Sequence, residues 1–156
     1  MASPSRLQNK KGKKWLAGTL LFLCLAFVWG NSLLPAEDSG AVSGRLSQII
    51  AAVFGSWAVE AEGLFRKLAH FTEFALLGML LGWNEKLCRG KRTILTPFLG
   101  LLVAMTDETL QLFSAGRAGQ VTDIWLDFAG VLGGLGLLWL LTRLKNRKRK
   151  PRSKKL

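Results

Sequence analysis

Four apolar blocks, at approximately residues 15–34, 67–83, 93–113 and 123–141, leave this 156-residue chain few ways to fold. A helix needs about 20 apolar residues to cross a bilayer, and each block meets or approaches that length. Inside hydrocarbon every backbone N–H and C=O must be paired within the segment, which restricts such blocks to helices. Trp15, Trp29, Trp83, Trp125 and Trp139 lie close to block ends, where an indole ring favours the membrane interface. The expectation is an all-α integral membrane bundle of four transmembrane helices, forming one domain.

The basic residues divide the chain further. Five lie before the first block, four between the second and third, and nine follow the fourth. Of 22 in all, only Arg45, Arg66, Lys67 and Arg117 remain for the opposite side. The positive-inside rule then places both termini in the cytoplasm of a multi-pass cell-membrane protein. Residues 1–14 form a basic cytoplasmic N-terminus, 15–142 the transmembrane domain and 143–156 a basic cytoplasmic tail. No A-x-A cleavage site follows the first block, which therefore reads as a retained signal anchor. A net charge of +12 would suggest nucleic acid in a soluble chain, but here the cations border apolar blocks, and no nucleic-acid partner is expected. The run KNRKRKPRSKK reads as a disordered anchor touching anionic lipid. Cys24 and Cys88 have no paired spacing that suggests a disulfide or zinc site.

Leu46, Ile49, Ile50, Val53, Phe54, Trp57, Ala61, Leu64 and Phe65 follow helical amphipathic spacing after the outward loop PAEDSGAVSGR. They predict an outward interfacial helix lying along the membrane surface. Gly78 with Gly82, and Gly130 with Gly134, form two G-x-x-x-G spacings that allow close helix packing within one chain.

The acidic groups and the sole histidine follow the same topology. His70 and Glu73 share a face near the outer end of the second block. Asp107, Glu108 and Gln111 lie near the outer end of the third, and Asp123 and Asp127 open the fourth. Arg117 falls in the short outer connection SAGRAGQVT, and Asn31 and Ser32 close the first block. Only Glu85 of the ten acidic residues falls on the cytoplasmic side. An unpaired carboxylate near a helix centre costs about 2.5–3.5 kcal/mol on insertion, so a set gathered at one depth points to a shared polar pocket.

NSLLP, RKLAHFTEFALLG, TDETLQLFSAGR and the D-x-x-x-D of the fourth block resemble the VanZ-like family over about residues 15–142. The resemblance implies a small bacterial membrane protein of four or five helices. The family's namesake lowers susceptibility to the glycopeptide antibiotic teicoplanin. Lys67, His70, Glu73, Asp107, Glu108, Gln111, Arg117 and Asp127 match the family's characteristic polar positions. The family commonly has an asparagine a few residues after the last aspartate, whereas this chain has Gly130 and Val131.

The functional expectation is a cell-envelope protein whose outward pocket binds or modifies an amphiphile, such as a lipid-linked wall precursor or a lipoglycopeptide. His70, Glu73, Asp107 and Glu108 are the candidate acid–base groups, with Glu73 orienting His70. Lys67, Gln111, Arg117, Asp123 and Asp127 are the candidate ligand-binding groups, the cations meeting a phosphate or carboxylate. Membrane lipids are the expected partners; a divalent ion held by His70 and the carboxylates would fit their oxygen ligands, but the spacing assigns no metal site, and no cofactor is assigned. The same residues leave open proton-coupled transport, or a network that only fixes helix packing.

Overall fold

Leucine, alanine and phenylalanine fill the first block, and the helix they favour stops where Pro35 disfavours helical backbone at Leu34. In the computed structural model, which describes residues 4–35, 52, 62–90, 93–117 and 119–149, helix α1 spans Pro4–Leu33. Helix α2 spans Glu62–Arg89, α3 spans Leu95–Gln111 and α4 spans Val121–Arg149. No strand occurs among the described residues. Of the expected interfacial helix, only Ala52 and the stretch that α2 absorbs from Glu62 onward fall within them.

Local chemistry sets the ends. Gly90 closes α2 at φ 74, a conformation open to glycine, and its N–H donates to the Lys86 carbonyl at 3.0 Å. Lys86 and Arg89 face the partial negative charge of that terminus. Pro97 falls in the first turn of α3, where a missing N–H costs little. Asp123 lies in the first turn of α4, on the side of the helix dipole that favours an anion. The tail departs from expectation, because α4 continues as helix through the basic residues to Arg149. Once nucleated, each further residue adds a hydrogen bond, and Arg143 covers the Trp139 ring at 5.0 Å.

The four helices run alternately between two ends. Asn84 of α2 donates to the Ala17 carbonyl of α1 at 2.8 Å, while Ser32 of α1 donates to Asp107 of α3 at 2.6 Å. Fourteen residues of α2 separate Asn84 from His70, which is about 21 Å of helix. Between the ends, Val28, Phe74, Leu77, Ala104 and Val131 form a buried core. The closest seam joins α2 and α4. A Cβ on Gly78 would collide with the Val131 backbone, one on Gly134 with the Ala75 carbonyl, and one on Gly130 would lie 2.6 Å from the Phe71 carbonyl oxygen. The glycine spacings therefore pack helices within the chain, as expected.

The outside of the bundle is apolar and part of its inside is polar. Phe22, Phe27, Phe98, Leu102, Trp125 and Leu140 are exposed, whereas Ser32, Asp107 and Asp127 are buried. Hydroxyls on the helices turn inward onto their own backbone: Thr72, Thr106, Thr109 and Thr142 each donate to the carbonyl four residues earlier. Gln8–Leu33 and Val121–Lys148 are long and apolar enough to cross a bilayer. Helix α3, at 17 residues with Asp107 and Glu108 inside it, is shorter than a typical span.

Candidate functional site

The site is assembled at the end of the bundle away from Asn84. Three successive i to i+3 bonds, Leu112 to Thr109, Phe113 to Leu110 and Ser114 to Gln111, tighten the chain as α3 ends. Gly116 then takes φ 73, and the Arg117 N–H donates back to the Ser114 carbonyl at 3.2 Å. This reversal brings Arg117 over the end of α1, where its Nη2 donates to the Asn31 carbonyl at 3.2 Å. Ser114 Oγ donates to the Ser32 carbonyl at 2.8 Å, tying the same turn to α1 a second time.

Asp107 is fully buried and held from both sides. Its Oδ1 accepts from Ser32 at 2.6 Å and its Oδ2 from Gln111 at 3.1 Å. Asp127 of α4 is 1 % exposed, yet neither of its carboxylate oxygens has a hydrogen-bond partner. Facing it is His70 of α2, whose Nδ1 lies 3.9 Å from Asp127 Oδ1. Ligand atoms of His70, Asp107 and Asp127 all fall within 4.8 Å of one another, so helices α2, α3 and α4 meet at three side chains. Glu108 plays a different part. Its Oε1 accepts the Gln120 backbone N–H and anchors the far end of the connection to α4.

Beside these groups lies a cavity of about 280 Å³. Lys67, His70, Gln111, Arg117, Asp123 and Asp127 all line it, as does Arg66. Every residue expected to bind ligand is therefore on its wall, together with one of the four expected acid–base groups. Asp107 stands behind that wall, joined to it through Gln111. Glu73 is half-buried and does not line the cavity. The carboxylate within 4 Å of His70 is that of Asp127, not Glu73. Burial, reinforced by the like charge of Arg66, pushes the Arg117 guanidinium below its ordinary pKa. Its Nε and Nη1 are buried without partners.

The sequence model of the VanZ/LLP1 family matches residues 15–142, which cover all four blocks and every residue of the site. The chain belongs to the VanZ/LLP1 family. No curated protein and no solved structure matches it. Family membership and its two apolar helices make it a membrane protein.

Gly130 is pressed against the Phe71 carbonyl, and Val131 fills the core, so neither position has room for a longer polar side chain. Sequence reasoning gave no role to Ser114 or Gln120, which hold the turn and Glu108. A serine and a glutamine in a short connection carry no periodic signal that could have marked them.

Proposed function

We propose that this VanZ-like protein spans the membrane with four helices and uses the cavity, turned outward, to bind the anionic head of an envelope amphiphile. Binding of that kind would lower susceptibility to teicoplanin, itself a glycopeptide bearing an acyl chain. The observation that carries this reading is Arg117, whose Nε and Nη1 are buried at the cavity wall and lack a partner. A guanidinium with free donors suits a phosphate or carboxylate, to whose oxygens Nε and Nη1 can each donate a charge-assisted bond. Arg66 and Lys67 add positive charge on the same wall. The exposed leucines and phenylalanines around the bundle offer an apolar surface for the acyl chain. Outward orientation follows from the basic residues at both ends of the chain and in the α2–α3 connection.

The test is the teicoplanin sensitivity of bacterial cells carrying the wild-type chain or Arg117→Ala at equal membrane abundance. Wild type should protect and the variant should not, with Arg117→Lys intermediate because it keeps the charge but loses the fork. Full protection by Arg117→Ala would overturn the reading.

A further inference from the structure

We infer that His70, Asp107 and Asp127 bind one divalent transition-metal ion, such as Zn²⁺ or Mn²⁺. The inference goes beyond amphiphile binding and needs only these three side chains.

Geometry is the first support. One ligand atom from each residue lies within 4.8 Å of the others, so small side-chain movements bring them to the roughly 3.0–3.6 Å spacing that bonds of about 2.0–2.2 Å impose around an ion. The second support is independent and concerns Asp127. Its carboxylate is 1 % exposed, and both oxygens are buried with no donor. His70 Nδ1, at 3.9 Å, is too distant to serve as one. No lysine or arginine among the described residues lies within 4 Å of it, and Arg117 directs its Nη2 to the Asn31 carbonyl instead. A buried carboxylate without donors is costly, and a cation between the two aspartates and the imidazole removes that cost.

Asp107 has the complementary arrangement. Ser32 and Gln111 each use one lone pair of its two oxygens, which fixes the carboxylate and leaves lone pairs for an ion. Such outer hydrogen bonds orient the ligands of metal sites. The chemistry of the set selects the ion. Imidazole nitrogen suits zinc and iron and carboxylate oxygen suits manganese, so one nitrogen with two carboxylates fits Zn²⁺ or Mn²⁺ better than an ion that prefers oxygen alone, such as Mg²⁺. Two carboxylates also balance a divalent charge, which matters in a low-dielectric interior. Because His70 and Asp127 line the cavity, remaining coordination positions would be open to water or to a head-group oxygen.

The experiment uses the full chain in detergent, stripped with chelator and dialysed against Zn²⁺ or Mn²⁺. Bound metal is counted after desalting, and thermal unfolding is followed with and without the ion. Wild type should retain one ion per chain and unfold at a higher temperature with it. His70→Ala and Asp127→Asn should weaken binding by at least about tenfold, while Glu85→Gln at the far end binds as wild type does. Asp127→Asn removes an unpaired buried charge, so the stripped variant should be as stable as stripped wild type, and lost binding cannot be laid to misfolding. A folded wild type that retains neither ion, or an Asp127→Asn variant that binds as tightly as wild type, would overturn the inference. If purified wild type retains no ion while cells carrying it show the Arg117-dependent protection, the metal site falls and the cavity reading stands.

Discussion

At the end of the bundle that holds Asn84 and Glu85, polar side chains fasten backbone. Asn84 donates to the carbonyls of Ala17 and Leu80 at 2.8 and 3.1 Å, and Glu85 Oε1 accepts both the N–H and the hydroxyl of Thr93. About 21 Å along α2, the same residue types are arranged otherwise. Buried polar atoms without partners there include Trp29 Nε1, Glu108 Oε2, two nitrogens of Arg117 and both oxygens of Asp127. At the Asn84 end only Glu85 Oε2 is left over among the described residues. A buried polar group left unpaired costs about 1–3 kcal/mol, so a structure that tolerates several at one end and one at the other has different uses for its ends. One end locks α1 to α2 and α2 to α3. The other keeps several buried polar atoms unpaired.

The seam between α2 and α4 offers the strongest way to break that comparison. Gly134→Ala forces the Ala75 carbonyl away and should destabilise the protein by about 3 kcal/mol, at the upper end for overpacked sites. The damage should be lopsided. Separating α4 from α2 parts Asp127 from His70, whereas the Asn84–Ala17 tie joins α1 and α2 and should survive. Unfolding in mixed micelles measures the loss. Cysteine pairs across each contact would show whether the two ends respond separately, and equal loosening at both would end the distinction.

At the other end, the two buried aspartates should behave unlike each other. Asp107→Ala strands the Ser32 hydroxyl and the Gln111 amide, and should cost about 2–3 kcal/mol. Asp127→Asn strands no donor, and in metal-free protein it should leave the unfolding midpoint unchanged or raise it. Equal losses from both substitutions would mean that Asp127 is held by bonds as Asp107 is.

Much of this was legible in the sequence, and the exceptions share a cause. The apolar blocks, the partition of basic residues and the gathering of His70, Asp107, Arg117 and Asp127 at one depth follow from spacing alone. Period and charge give a residue's face and depth, but not which helix that face meets. His70 and Glu73 look like partners because they are three apart, yet the rotation of α4 against α2 presents Asp127 to His70 instead. That rotation depends on Gly78 and Gly134, whose spacing marks them for close packing without saying which backbone lies against them. Glu108 likewise reads as an acid in a motif, and its bond to Gln120 appears only once the connection has folded back.

Two smaller effects belong to the fastened end. Asn84→Ala removes both donations and should cost about 1 kcal/mol without altering the proposed teicoplanin protection or the proposed metal binding. Glu85→Gln should cost less still, and its signature is in pH. Burial tends to raise the Glu85 carboxyl, but hydrogen bonds from Thr93 and Thr96 and the nearby charge of Arg89 outweigh it and hold the pKa below the ordinary 4.5. A depressed carboxylate stabilises the fold above its unfolded pKa, and that stability fades as pH falls through the lower folded value. Unfolding midpoints of wild type and Glu85→Gln should therefore differ at pH 7 and converge as pH falls through the depressed Glu85 value. The gap should stay under about 1 kcal/mol, because water near the bundle end screens the charge. A gap that persists unchanged into acid would show that the amide of the Glu85→Gln variant has lost the Thr93 bonds altogether, and that geometry rather than charge holds the α2–α3 connection.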